Sequence, residues 1–189
     1  MSNAVSALPE AVFEGYVRVE ELGLNGMITL RGDLDSAALT SAVKSAIGID
    51  MPGQRGITFK GKNGVAWMSP DEAMLFVPLG DVSKTLASLS KSLAGVHHLA
   101  VDVSDARAMF GLTGDAVREV IAKVCPVDMA PGQFAPGEIR RTRMAQIPVA
   151  IWMPDESGLR VICFRSVAQY AFDVLSDASR PGSEAALFS

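Results

Sequence analysis

The chain has 189 residues, 49% of them hydrophobic and 20% charged, with a net charge of −4 and a mean hydropathy of +0.26. That composition belongs to a folded protein and excludes a disordered one. The acidic balance leaves no global field to attract nucleic acid, and no stretch approaches the roughly 18–20 consecutive apolar residues that a membrane span needs. Two cysteines, Cys125 and Cys163, are too few for a disulfide framework. The apolar excess therefore belongs to a dense core, or to surface buried against another protein.

Residues 1–24 carry no strong period, and Val12–Val19 is expected to pair as an edge strand or to wrap a neighbour. The N-terminus lacks the charged and apolar regions of a signal peptide, so a cytoplasmic chain is expected. Met27–Leu30 is a short β-prone run closed by Gly32. Asp33 or Asp35 is placed to cap the following helix, whose Leu39, Ala42, Val43, Ala46 and Ile47 fall on one face. Gly48 and then Pro52-Gly53 stop it. Three short strands are predicted next: Ile57–Lys60, Val65–Met68 and Met74–Val77. The first two are joined by a tight turn at Lys62-Asn63-Gly64, the last two by Pro70-Asp71-Glu72. Val82, Leu86, Leu89 and Leu93 then mark the clearest helix of the chain, ended by Gly95.

The same order follows again. His98–Val103 and Ala108–Leu112 read as strands. Asp115 is expected to cap a helix with Val117, Val120, Ile121 and Val124 on one face, ended by Pro126. Met144–Ile147, Val149–Met153 and Leu159–Phe164 read as strands. Ser166 and Gln169 have the spacing of a capping box for a last helix that turns Val167, Tyr170, Ala171, Val174 and Leu175 inward.

These halves echo one another in sequence. Gly-Asp occurs at 32–33 and 114–115, Pro-Gly-Gln at 52–54 and 131–133, and Trp-Met followed by Pro-Asp-Glu at 67–72 and 152–156. The chain is therefore expected to be α+β, with two similar βαβββα units packed as one domain and mostly antiparallel sheets backed by helices. The expected boundaries are an N-terminal segment 1–24, a single domain 25–178 made of repeats 25–96 and 97–178, and a flexible tail 179–189.

Candidate chemistry is thin. His97 and His98 are adjacent, so in a strand they point to opposite faces and cannot readily share a metal. Cys125 stands at a helix C-terminus and Cys163 in an apolar strand, neither an activating environment for a thiol. Asp71-Glu72 and Asp155-Glu156 are paired carboxylates, but each pair lies beside a proline in a hairpin, where Asp serves turn geometry. Gly111-Leu112-Thr113-Gly114 is too short for a dinucleotide fingerprint. Arg107, Arg165 and Asp128 have apolar neighbours and are candidates for buried ion pairs. Arg140-Arg141-Thr142-Arg143, the one basic run, reads as a solvated strand edge or loop. The residues taken alone name no catalytic, cofactor-binding or metal-ligating set.

Several strings nevertheless form a familiar pattern. They are Trp67-Met68-Ser69-Pro70-Asp71-Glu72, Asp102-Val103-Ser104-Asp105-Ala106-Arg107, the helix from Gly114-Asp115 into Cys125-Pro126-Val127-Asp128, Ile147–Trp152, and Cys163–Ala168 with Tyr170 and Asp173. In this order they resemble the gamma subunit family of bacterial heterotetrameric sarcosine oxidase, over about residues 20–178. The resemblance implies a fold related to the folate-binding aminomethyltransferase of the glycine cleavage system. It also implies a place in a four-chain oxidoreductase that oxidatively demethylates sarcosine to glycine. There the one-carbon unit passes to tetrahydrofolate and hydrogen peroxide is formed.

On that resemblance the chain itself is non-catalytic and carries no cofactor. FAD, FMN, NAD, zinc and tetrahydrofolate are expected on partner subunits. The partners are the alpha, beta and delta chains, with alpha the direct contact. The alternative is a stand-alone folate-binding or aminomethyltransferase-like protein, for which Asp128 or Asp102 is the expected acidic residue at the pterin. A third option, an anion or nucleotide sensor, would use Gly114-Asp115 and the Arg140–Arg143 run.

Overall fold

In the computed structural model, which describes residues 4–188, the chain begins with strands β1 (Val12–Glu14) and β2 (Arg18–Glu21). It continues with β3 (Gly26–Gly32), helix α1 (Ala37–Ile47), β4 (Ile57–Lys60), β5 (Asn63–Ser69), β6 (Glu72–Val77), α2 (Val82–Ser92) and β7 (His98–Asp102). The last part holds β8 (Arg107–Thr113), α3 (Val117–Val124), β9 (Ile139–Met144), β10 (Ile147–Asp155), β11 (Gly158–Phe164) and α4 (Ala168–Ala178). Two compact units result: Asn25–Ser104, and a second built from the residues up to Leu24 together with those from Asp105 on.

The 25–104 unit is a five-stranded sheet, ordered β4-β5-β6-β3-β7, with antiparallel pairing throughout. Alternation sends Ile28, Leu30, Val65, Leu75 and Val77 to the face that packs on Leu39, Val43 and Leu89 of the helices. The opposite face of the sheet is apolar as well, with Met27, Ala66, Met74 and Phe76, which accounts for part of the high hydropathy. Helix α1 forms where the sequence predicts it and buries Leu39, Ala42, Val43 and Ile47. Its N-cap is Ser36, whose hydroxyl accepts from the Leu39 N–H at 3.4 Å. Asp33 instead accepts from the Asp35 N–H at 3.2 Å in the preceding turn, so neither expected aspartate caps the helix. Gly48 ends α1 in the left-handed region at φ 74°, where its N–H reaches the Lys44 carbonyl at 2.9 Å.

One turn differs from the expected one. Lys60 pairs with Asn63, so the β4–β5 connection is Gly61-Lys62, with Gly61 at φ 62°, and the Asn-Gly dipeptide opens β5. Gly64 is needed there for space, since a Cβ would lie 2.3 Å from the Phe59 ring. Asn63 spends its amide on the carbonyl of Ile47 at 3.0 Å, tying the strand to the end of α1.

The second unit is a six-stranded sheet, ordered β1-β2-β8-β11-β10-β9. Its inner face buries Val19, Phe110, Leu112, Ile151 and Val161 against Val120, Ile121 and Leu175 of α3 and α4. Four strands and two helices, β8-α3-β9-β10-β11-α4, repeat the order and the sheet positions of β3-α1-β4-β5-β6-α2. The predicted βαβββα pattern is thus present in both units. Even the irregularity recurs: pairing shifts after Trp67 in the β5–β6 hairpin and after Trp152 in the β10–β11 hairpin.

Where the pattern and the structure part, pairing decides. His98–Asp102 does not open the second repeat; it adds to β3, with Leu30 opposite Ala100, so the first unit ends at Ser104 and not at 96. The N-terminal segment is not apart from the repeats either, because β2 pairs with β8 and β1 adds to it as an edge strand. Strand β9 starts at Ile139 and contains the basic run, while Ala145-Gln146 forms its turn. Helices α3 and α4 begin without a side-chain cap at Ala116 and Val167, so Asp115 and Ser166 do not act as expected. Gln169 bonds Asp173 instead, and Tyr170 is 39% exposed where an inward position was expected. From Ser179 the tail expected to be flexible is hydrogen-bonded to α3, as described next.

Candidate functional site

Helix α3 carries the most concentrated polar chemistry of the second unit, on two neighbouring residues that are both buried, Arg118 and Glu119. The apolar face of α3 (Val117, Val120 and Ile121) fills the core, which sets these two charged residues on its flanks. Arg118 donates through Nη1 to the carbonyls of Met129 at 3.1 Å and Phe134 at 2.8 Å, and through Nη2 to Glu156 Oε2 at 2.6 Å. A planar fork suits this task, because three acceptors lie at fixed angles around one guanidinium. Its effect is to pin the segment between α3 and β9.

Glu119 faces the other way. It accepts from the Tyr16 hydroxyl at 3.0 Å and from the backbone N–H groups of Ala185 at 2.8 Å and Leu187 at 3.2 Å. Lys123, one turn on, lies 3.6 Å from Glu119 and donates to Tyr16 Oη at 2.7 Å, to the Ala178 carbonyl at 3.1 Å and to the carbonyl of Ser183. Hydrogen bonding to the Ala185 N–H, helped by Leu187, Tyr16 and Lys123, holds the Glu119 carboxyl below the usual range against the opposing effect of burial. Burial raises the Tyr16 phenol, with Lys123 pulling the other way. The network joins the β1–β2 turn, α3 and the C-terminal tail. Spacing in the sequence gives no sign of it, since Tyr16 and Glu119 are 103 residues apart.

The residues singled out from the sequence lie elsewhere. His97 is exposed, and His98, half-buried in β7, holds Nδ1 2.8 Å from the Val96 carbonyl. Burial pushes the Cys125 thiol up to about 12 and the Cys163 thiol up to about 11, the latter against a lowering by Arg107, so both are protonated at neutral pH. Glu72 is buried and pairs with Arg31 at 2.8 Å, with Asp71 3.8 Å from the same guanidinium. Asp155 closes its hairpin by accepting from the Ser157 hydroxyl at 3.0 Å and N–H at 2.9 Å, and these bonds lower its pKa.

The three residues read as candidates for buried ion pairs, Arg107, Arg165 and Asp128, lie in different surroundings. The Arg107 guanidinium lies 3.9 Å over the Phe164 ring. Arg165 donates to the carbonyls of Val5 at 2.7 Å and Ser6 at 3.1 Å, and Asp128 is exposed and accepts from the Ala130 N–H at 3.0 Å. Asp102 is likewise exposed and turns onto Ser104, whose hydroxyl receives the Met27 N–H at 3.0 Å. Gly111 to Thr113 belong to β8, and Gly114 donates its N–H to Ser157 at 3.2 Å. Within the basic run, Arg140 pairs with Glu138 at 3.2 Å and lies 5.3 Å from the Phe134 ring.

Apart from Asp71 with Glu72 on Arg31, and Arg107 beside Cys163, these candidates sit in separate local contacts. Among the described residues no group of three or more His, Cys, Asp or Glu is gathered as metal ligands would be. A cleft of about 280 Å³ in the 25–104 unit is lined by Ser45, Asn63, Asp81, Lys84, Thr85 and Ser88, and none of the sequence candidates reaches it. Among the described residues no helix is long and apolar enough to cross a membrane. Of the buried polar side chains, Thr85, Ser104, Arg118, Glu119 and Ser179 engage the backbone of their own chain, which is work of positioning, while Glu72 pairs with Arg31 and the Thr29 hydroxyl has no partner among the described residues.

Residues 31–181 match the sequence model of the sarcosine oxidase, gamma subunit family. The chain is 27% identical over 174 residues to the sarcosine oxidase subunit gamma of Corynebacterium sp. strain P-1, covering 91% of this chain and 84% of that one. Its structure is similar to a chain of the heterotetrameric sarcosine oxidase from Corynebacterium sp. U-96, with a TM-score of 0.81, 27% identity, and coverage of 98% of this chain and 92% of that one. The glycine cleavage system aminomethyltransferase T from Bartonella henselae is similar in fold, with a TM-score of 0.59, 12% identity, and coverage of 80% of this chain and 43% of that one.

Proposed function

The chain belongs to the sarcosine oxidase gamma subunit family, and from that premise we propose that it is a non-catalytic, scaffolding subunit of a heterotetrameric sarcosine oxidase. The observation that carries this reading is the match across nearly the whole of both chains to a subunit of such a heterotetramer. The assembly would demethylate sarcosine oxidatively to glycine, deliver the one-carbon unit to tetrahydrofolate and release hydrogen peroxide. In this reading FAD, FMN, NAD, zinc and the folate site belong to the alpha, beta and delta chains, and alpha is the direct contact. The buried polar groups support a scaffold: Arg118 and Glu119 spend their hydrogen bonds on backbone carbonyls and N–H groups. A cytoplasmic location accompanies the reading, and two buried free thiols suit a reducing compartment.

Co-expression of the four chains tests it. A gamma chain that co-elutes with alpha in a stoichiometric complex is expected, and one that elutes apart from the other three sinks the proposal. Calorimetry of the isolated chain with a reduced folate addresses the stand-alone folate-binding alternative. Silence is expected, because Asp128 and Asp102 are both exposed and turned onto their own backbone.

A further inference from the structure

Each sheet has two edges, and three of the four are blunted in ways that discourage pairing with another chain. Strand β1 is only three residues long, β9 carries Arg140, Arg141 and Arg143, and β4 is four residues ending in Lys60. The fourth edge is β7, His98-Leu99-Ala100-Val101-Asp102, and it has neither proline nor a basic lysine or arginine. Leu99 is 52% and Val101 39% exposed. Because Leu99 and Val101 stand opposite Arg31 and Thr29, and the Val103 N–H reaches Met27 at 2.9 Å, the backbone groups of odd-numbered residues face β3. Those of His98, Ala100 and Asp102 face away from the sheet, and their outward N–H and C=O groups have no partner among the described residues.

This edge is complementary to itself. A two-fold axis at Ala100 would set His98 opposite Asp102 of the other copy, and Leu99 opposite Val101 of the other copy. All three outward-facing positions then meet outward-facing positions, as an antiparallel ladder requires. One face gains two apolar cross-strand pairs and the other gains two histidine–aspartate pairs. His98 commits Nδ1 to Val96, which leaves Nε2 to donate in the protonated ring, and Asp102 receives Ser104 on Oδ1, which leaves Oδ2 to accept.

We propose that the chain, when free of partner subunits, forms a homodimer by antiparallel pairing of β7 with β7 of a second copy, with Ala100 opposite Ala100. The two five-stranded sheets become one continuous sheet, and the open apolar edge is closed. A strand of five residues gives a small interface, so the dimer belongs to the weak, transient class. The inference concerns the isolated chain and does not rest on the subunit reading.

Sedimentation equilibrium of the full chain across micromolar concentrations is the test. A monomer–dimer equilibrium is expected, weakened about tenfold or more by Val101→Lys, whose exposed side chain leaves the fold intact. Asp102→His should weaken it too, by opposing imidazole with imidazole, and the swap His98→Asp with Asp102→His should restore it. Leu79→Lys, at another exposed apolar position, should leave it unchanged. A chain that stays monomeric overturns the proposal. So does a dimer indifferent to Val101→Lys, or one equally weakened by Leu79→Lys. Co-elution with the alpha chain is read separately, so either result can fail without the other.

Discussion

The carboxylate of Glu119 and the backbone N–H of Ala185 are 2.8 Å apart, although 66 residues of chain separate them. This bond, with the one to Leu187 at 3.2 Å, ties the C-terminal tail to α3. Glu119→Gln keeps the shape of the side chain but gives up one acceptor oxygen and the charge. A loss of about 1–3 kcal/mol is expected, together with earlier proteolysis of the tail.

The same contact sets an acid dependence. Hydrogen bonding lowers the Glu119 pKa in the folded chain, so its contribution is fully present above the unfolded carboxyl value of about 4.3 and fades as pH falls through the lower folded value. Urea denaturation between neutral and acid pH should show a slope over that window that is reduced in Glu119→Gln. An unchanged slope would assign the acid sensitivity to other carboxylates.

Arg118 and Glu156 make a 2.6 Å ion pair with unequal ends: the Arg118 side chain is 10% exposed and that of Glu156 is 72%. Removing the exposed partner in Glu156→Gln should cost no more than about 1 kcal/mol. Arg118→Ala leaves the carbonyls of Met129 and Phe134 without their donor and should cost about 3–5 kcal/mol. Lysine at 118 should recover only part of this, because a single ammonium does not reproduce the fork. Thermal denaturation of the three variants gives the ranking, and equal losses at both ends would contradict it.

Burial places the two thiols at about 12 and about 11, far above neutral pH. A disulfide reagent at neutral pH should therefore leave Cys125 and Cys163 unmodified in the folded chain and modify both once denaturant is added. Rapid labelling without denaturant would mean that one of them is reached by solvent through opening of the fold.

Much of the scaffold is legible in the sequence because periodic burial writes it there. Leu39, Val43 and Ile47 mark α1, and Val120 and Ile121 mark α3, whatever surrounds them. Caps are less legible, because Asp33, Asp35 and Ser36 are all competent and only the backbone path selects Ser36. The turn falls at Gly61-Lys62 and not at Asn63-Gly64 for a similar reason: the favoured dipeptide is needed inside the strand, where Gly64 makes room for Phe59. Arg118 and Glu119 were missed because charged neighbours on a helix flank look like a solvated face. Their partners at 129, 134, 16 and 185 are fixed only by the tertiary path.

Gly15 lies where an added Cβ would sit 2.0 Å from the Ser179 carbonyl, against which Tyr16 also donates its N–H at 3.0 Å. Gly15→Ala must therefore push the β1–β2 turn off the end of α4, whereas Gly48→Ala meets open space and pays only for its left-handed backbone, about 1 kcal/mol. Denaturation midpoints should fall clearly further for the first substitution than for the second.

Strands β2 and β8 are hydrogen-bonded neighbours, with Glu21 opposite Phe110, yet the whole 25–104 unit is threaded between them. During synthesis the inserted unit leaves the ribosome complete while β2 still waits for its partner. A contiguous segment can fold as soon as it emerges, and once folded it brings its own ends near each other: β3 and β7 are paired neighbours. The remaining gap between β2 and β8 then behaves as a short loop rather than one of some eighty flexible residues, which lowers the entropy of closing it. Order of translation and order of assembly are thereby aligned. Pulse-labelling hydrogen exchange during refolding should find the amides of β3 and β6 protected before those of β2 and β8.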